Sequence, residues 1–130
     1  MQFKLSALIL FLVTIGWSFG QKPDIVVSTG HTSQINTVAI SKDAKYIATG
    51  SVDKTIKIIE TASGKELRTI AKNNQRVSIV KFDDKVQYLG AHIEGESLKV
   101  YDFETAEVLS EFPSDVADFD FCKDGNQVVY

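Results

Sequence analysis

Polar chemistry in this 130-residue chain would have to be built from two histidines, one cysteine and a scatter of acidic residues. His92-Ile93-Glu94-Gly95-Glu96 offers an imidazole and two carboxylates at alternate positions. A divalent metal could use all three if they converged. The same stretch reads more simply as a solvated loop between two strands. Asp118, Asp120 and Asp124-Gly125 follow a calcium-loop rhythm only in part, because Cys122 stands where an oxygen ligand is needed. Val116, Phe119 and Phe121 interleave with those acids as they would in a strand. Asp83-Asp84 comes nearest to a general acid–base dyad, and its place between two strand-like runs makes it hydrophilic turn punctuation. No Ser-His-Asp or Cys-His arrangement and no Gly-rich phosphate loop can be assigned. The expectation is no catalytic residue, no metal and no cofactor.

The elements that would position such residues start after a distinct leader. Lys4 precedes a run from Leu5 to Ile15 that only Ser6 and Thr14 interrupt, and Ser18-Phe19-Gly20 supplies small residues at a cleavage site. This is the layout of a secretory signal peptide over residues 1–20. The apolar run is shorter than the roughly 20 residues a membrane span needs. An exported, periplasmic or extracellular, product is therefore expected. The chain has 14 basic residues, of which only Lys4 lies in the leader, and 17 acidic ones, so the remainder carries a net charge of −4. With no basic stripe, nucleic-acid binding is not expected. Cys122 is alone and can form no disulfide within the chain; it reads as a small apolar residue at a strand end. Hydrophobic content of 44% is ordinary for a globular fold.

Sliding the sequence by 42 positions lays residues 31–70 on 73–112 without a gap. Val38 falls on Val80, Tyr46 on Tyr88, Lys57 on Lys99 and Leu67 on Leu109, and Ile40 falls on Phe82, Ile47 on Leu89 and Ile58 on Val100. A third copy begins at an offset of 39, where Phe119 and Phe121 take the places of Val80 and Phe82. Lys123-Asp124-Gly125 supplies its turn. Each unit reads as four short strands: in the first, Ile35 to Ser41, Tyr46 to Ser51, Thr55 to Glu60 and Glu66 to Ala71. Four strands per 42 residues, with no helical periodicity after the leader, predict an all-β partial propeller. The units run over about 30–71, 72–113 and 114–130, within a domain spanning 21–130.

Gly30-His31 opens the first unit, Ile47 to Glu60 closes its third strand, and Ser63-Gly64-Lys65 follows. This pattern resembles the WD-repeat β-propeller family, in the form of an exported bacterial-type protein. In that family a His, a Ser or Thr, an Asp and a Trp form a hydrogen-bonded tetrad. The resemblance implies that His31, Thr49 and Asp53 are structural tetrad residues, with Ile59 in the Trp place and Glu60 in that of the closing Asp. In the second unit Asn73, Ala91 and Gly95 take the first three places and Tyr101 the fourth. No tetrad is expected there, and apolar packing alone should hold that unit. Family practice also assigns Asp24–Ser28 to a ring-closing strand.

Repeat units need several neighbours to bury their faces, so the expectation is a piece of a longer protein whose remaining part supplies the other blades. The resemblance implies a non-catalytic scaffold for a protein or peptide partner. Gln34 with Arg76, and Val52 with Glu94, are equivalent pairs on one loop face and are the candidate partner contacts. The alternative is a targeting module of a larger exported hydrolase, such as a caspase-like peptidase.

Overall fold

The computed structural model describes residues 30–113, 117–123 and 127–130, with the backbone alone at 71 and 72. Residues 1–20, the strand expected over Asp24–Ser28, and the positions Val116 and Asp124-Gly125 lie outside the described residues.

Every regular element among the described residues is a β-strand. The first sheet holds β1 (Ile35–Ile40), β2 (Tyr46–Ser51), β3 (Thr55–Glu60) and β4 (Glu66–Lys72) in that order. The second holds β5 (Val77–Phe82), β6 (Tyr88–Ile93), β7 (Ser97–Asp102) and β8 (Val108–Pro113). β9 (Asp120–Phe121) and β10 (Val128–Val129) form a two-stranded third sheet. All pairings are antiparallel, and each strand joins its sequence neighbour.

The repeat is written into the backbone. Ile40 pairs with Ile47, Phe82 with Leu89 and Phe121 with Val128. The turn between the first two strands closes through Ser41 N–H to Tyr46 O (2.9 Å), Asp83 N–H to Tyr88 O (3.2 Å) and Cys122 N–H to Gln127 O (2.9 Å). A β-bulge sits between Ile35 and Thr37 and again between Val77 and Ile79. Left-handed residues recur as well: Ala44 (φ 57°) with Val86 (φ 58°), and Gly64 (φ 67°) with Ala106 (φ 62°). The β2–β3 and β6–β7 turns depart from this pattern. Lys54 is left-handed in the first, whereas Gly95 (φ 69°), one place earlier, is left-handed in the second. Gly95 is the third residue of its turn, where a type II turn demands positive φ.

The sheets stack face to face around a shared core of Ala48, Ile56, Ile58 and Ile70 from the first sheet and Val77, Val80, Leu89, Ala91, Ile93 and Tyr101 from the second. Full burial of side chains such as Ile56, Ile58 and Leu89 contributes roughly 1.5–3 kcal/mol each. Close approach constrains two positions. A Cβ at Gly50 would lie 2.5 Å from Val77 Cγ1 and 2.7 Å from Thr37 Cγ2, and one at Gly90 would lie 2.8 Å from Phe119 Cζ. Gly90 stands where the first unit has Ala48, and Phe119 stands where the second has Val80. The smaller residue on one side of the junction accompanies the larger on the other.

Phe103, just beyond β7, locks the first two sheets together. Its ring lies 4.9 Å from that of Tyr46 and 5.7 Å from that of Phe82, centroid to centroid. The Arg68 guanidinium sits 5.7 Å over the same ring and donates to the Phe103 carbonyl at 3.1 Å. On the far side of the first sheet, Val38 is 58% exposed, while its equivalent Val80 is 2% exposed beneath that sheet.

Candidate functional site

His31 is held at three points just before β1. Its Nδ1 lies 2.9 Å from Asp53 Oδ2, its Nε2 lies 2.7 Å from the Thr49 hydroxyl, and Thr55 Oγ1 is 3.1 Å from Nδ1. Asp53 sits in the β2–β3 turn and accepts further bonds from Thr32 N–H (2.9 Å), Thr55 N–H (3.0 Å) and the Thr55 hydroxyl (2.6 Å). Burial alone would raise the Asp53 carboxyl. The bonds from Thr55, Thr32 and His31 outweigh it and hold the group well below the usual carboxylate range. An ionised carboxylate only accepts, so Nδ1 is the donor in the His31–Asp53 bond. The structure thus brings His31, Thr49 and Asp53 together, with Ile59 contributing no polar atom. Thr55 and Thr32, which the sequence reading did not single out, complete the ring of donors. Thr55 was findable: a hydroxyl two residues after a turn Asp is a common local partner.

Three expectations for the second unit are corrected. Apolar packing is not alone in holding it. Tyr101 Oη donates to Asn73 Oδ1 (3.3 Å), Ser78 Oγ bonds His92 Nδ1 (2.7 Å), and Ser97 Oγ donates to Glu111 Oε1 (2.6 Å). Burial, with Glu96 and Glu111 nearby, pushes the Tyr101 phenol up to about 12. His92 is not in a solvated loop: it lies in β6 and is 8% exposed. The 42-residue register already placed it opposite Gly50, inside a strand. Its neighbours diverge: Glu94 pairs with Arg76, and Glu96 Oε1 lies 3.3 Å from Lys99 Nζ. Among the described residues no three potential metal ligands converge. Asp83 is more than punctuation. It is 1% exposed and accepts from the backbone N–H of Lys85 (3.1 Å), Gln87 (2.7 Å) and Tyr88 (2.7 Å). It thereby satisfies a whole turn that would otherwise carry unpaired donors. Asp84, exposed, bonds Lys42 Nζ at 2.5 Å.

The four candidate contacts share one rim. Val52 N–H donates to Gln34 O (2.9 Å), and Glu94 N–H donates to Arg76 O (3.1 Å), so the two pairs are tied by the same backbone bond in successive units. A depression of about 490 Å³ lies there, lined by Val52, Lys54, Gln75, Arg76, Glu94 and Gly95. The Arg76 guanidinium grips the Glu94 carboxylate with two N–H groups. The Arg76 bond lowers the Glu94 carboxyl, and the Glu94 bond raises Arg76 in return. A solvated pair of this kind adds little to stability. It leaves a cation, an anion and an apolar Val52 edge side by side on an exposed surface.

Residues 24–60 match the family model described as WD domain, G-beta repeat. A ribosome biogenesis protein BOP1 homologue of Drosophila virilis is 43% identical over 49 residues, which is 38% of this chain and 6% of that protein. The small ribosomal subunit protein RACK1 of Caenorhabditis elegans is 28% identical over 101 residues, 78% of this chain and 30% of that one. The chain therefore spans less than a third of either relative. Among solved structures, the WD40 repeats of RRP9 superimpose with a TM-score of 0.61 at 18% identity, over 65% of this chain and 27% of that chain. The fold is that of WD40 β-propeller blades.

Proposed function

We propose that this chain is a non-catalytic scaffold that binds a protein or peptide, the N-terminal part of a larger exported WD-repeat protein. One observation carries the reading: successive units present equivalent, backbone-tied residue pairs on one rim, beside a depression that exposes Arg76, Glu94 and Val52. Rigid strands carrying exposed loop residues are the usual build of a recognition surface. The relatives are named for ribosome biogenesis and for the small ribosomal subunit. What this chain shares with them is blade sequence, and its net negative charge argues for a protein partner over RNA. Export rests on the signal-like pattern of residues 1–20, and N-terminal sequencing of the native product tests it: cleavage after Gly20 is expected.

The binding reading is tested by affinity capture from the source cells with the wild-type chain and with Arg76→Ala/Glu94→Ala. The variant should unfold at an unchanged denaturant midpoint and lose the proteins that the wild type retains. Equal capture by both would remove the rim from consideration.

A further inference from the structure

Lys54 ends the β2–β3 turn in the left-handed region, at φ 70°. Residues with a Cβ rarely adopt that conformation, and the corresponding turn of the second unit meets the need for it with a glycine, Gly95. Bonds on both sides hold Lys54 there: its N–H donates to Ser51 O (3.2 Å), and its carbonyl accepts from Asn73 N–H (2.8 Å). Strain of this kind persists where the surroundings over-determine it, and it gathers at binding sites. The clamped backbone carries an exposed ammonium that has no acid partner among the described residues. One unit on, the same place belongs to Glu96, which lies 3.3 Å from Lys99 Nζ. The unpaired cation is therefore particular to the junction of the first two units.

Lys54 lines the same depression of about 490 Å³ as Arg76 and Glu94. Glu94 takes two of the Arg76 N–H donors. The remaining guanidinium donors and those of the Lys54 ammonium are left for a ligand. The only carboxylate in the lining is already engaged, so the depression is rich in donors and short of acceptors. We infer that it takes an acidic side chain, Asp or Glu, from an extended segment of a peptide or protein partner. Lys54 is the contact that selects the acid, Arg76 is its second donor, and Val52 meets the apolar residues beside it. The chain as a whole has a net charge of −3, which repels acids, so the preference is set at this depression and not by the overall field. The inference rests on the proposed binding at this rim and narrows it to one class of ligand.

The probe is an array of short immobilised peptides, each with one Asp or Glu among Ala, Leu and Ser, beside a copy with Asn or Gln in its place. The full native product is applied as wild type, Lys54→Gly and Lys54→Arg. The wild type should hold the acidic copies about tenfold more strongly than the amide copies, and the margin should shrink at high ionic strength. Lys54→Gly removes the cation and relieves the backbone, so it should raise the denaturant midpoint while abolishing the preference. Lys54→Arg should keep the preference. Equal retention of acid and amide copies, a preference that survives Lys54→Gly, or no retention of any peptide overturns the inference. A lowered midpoint in Lys54→Gly overturns the strain on which it is built. The wider reading fails separately: proteins captured from the source cells that are lost with Arg76→Ala/Glu94→Ala but kept with Lys54→Gly would leave the rim as a binding surface and refute the acidic ligand.

Discussion

Tyr101 Oη donates to Asn73 Oδ1 at 3.3 Å, and these residues hold the places of Ile59 and His31 in the unit before. The two units tie the loop ahead of the sheet to its interior by different chemistry. In the first, an imidazole–carboxylate pair is the tie; in the second, a phenol and an amide are. Tyr101→Phe keeps the ring and deletes the donor. We expect it to lower stability by about 1 kcal/mol, read as a shifted urea midpoint at an unchanged slope. No shift would mean that the bond contributes nothing.

Stability should fall at both ends of the pH scale for separable reasons. Asp53 is held below its ordinary value of 3.8, so the folded chain takes up its proton less readily than the unfolded one. Its contribution is complete above about pH 4 and is lost as pH falls below that. Tyr101 is the reverse, raised from 10.0 to about 12. Its contribution is complete below pH 10 and is lost as pH rises toward 12. Denaturant unfolding across pH should show both limbs. Asp53→Asn should flatten the acid limb alone, and Tyr101→Phe the alkaline limb alone.

Gly64→Ala isolates backbone strain. The residue is left-handed at φ 67°, and an added Cβ meets nothing within 4 Å. The cost should be about 1 kcal/mol and should come from conformation only. Ala106 holds the same conformation in the next unit with its Cβ present. Ala106→Gly should therefore lose less than Gly64→Ala, or gain.

The junction between the second and third units permits a compensation test. Gly90→Ala drives a methyl into the Phe119 ring and should cost roughly 1–3 kcal/mol. Phe119→Val alone should open a cavity and cost a similar amount. Together they recreate the Ala48 and Val80 pair of the preceding junction, so the double variant should be more stable than the sum of the single effects predicts. Simple additivity in the thermal midpoints would show that the two positions are not coupled.

The fold was largely legible because an alternating apolar pattern at a fixed 42-residue spacing can be satisfied only by repeated short strands. The register of Ile40 with Phe82 and of Ile47 with Leu89 carried straight into the pairing of β1 with β2 and of β5 with β6. The site was legible where the chain keeps the residues of the WD-repeat resemblance, which assigned His31, Thr49 and Asp53 their places. It was not legible where the second unit replaced one polar solution by another. Nothing in the residue types Asn73 and Tyr101 announces that they meet 28 residues apart in sequence. Asp83 looked like any turn acid, because the burial that gives it three backbone donors is set by the sheets on either side. Phe103 follows a strand end, where an apolar residue has no periodicity to reveal its burial.

The unequal junctions also determine which units can be neighbours. Ala48 and Val80 belong to one junction, and Gly90 and Phe119 to the next. If the third unit docked on the first during folding, Phe119 would meet the Ala48 methyl where it now meets a bare glycine. If the second docked on another copy of itself, Val80 over Gly90 would leave a hole. Both errors are penalised by volume alone, before any hydrogen bond forms. Tandem repeats are prone to swapping and misassembly because their parts look alike. Here the size of one side chain at each seam serves as an address and keeps the blades in the order in which they are written.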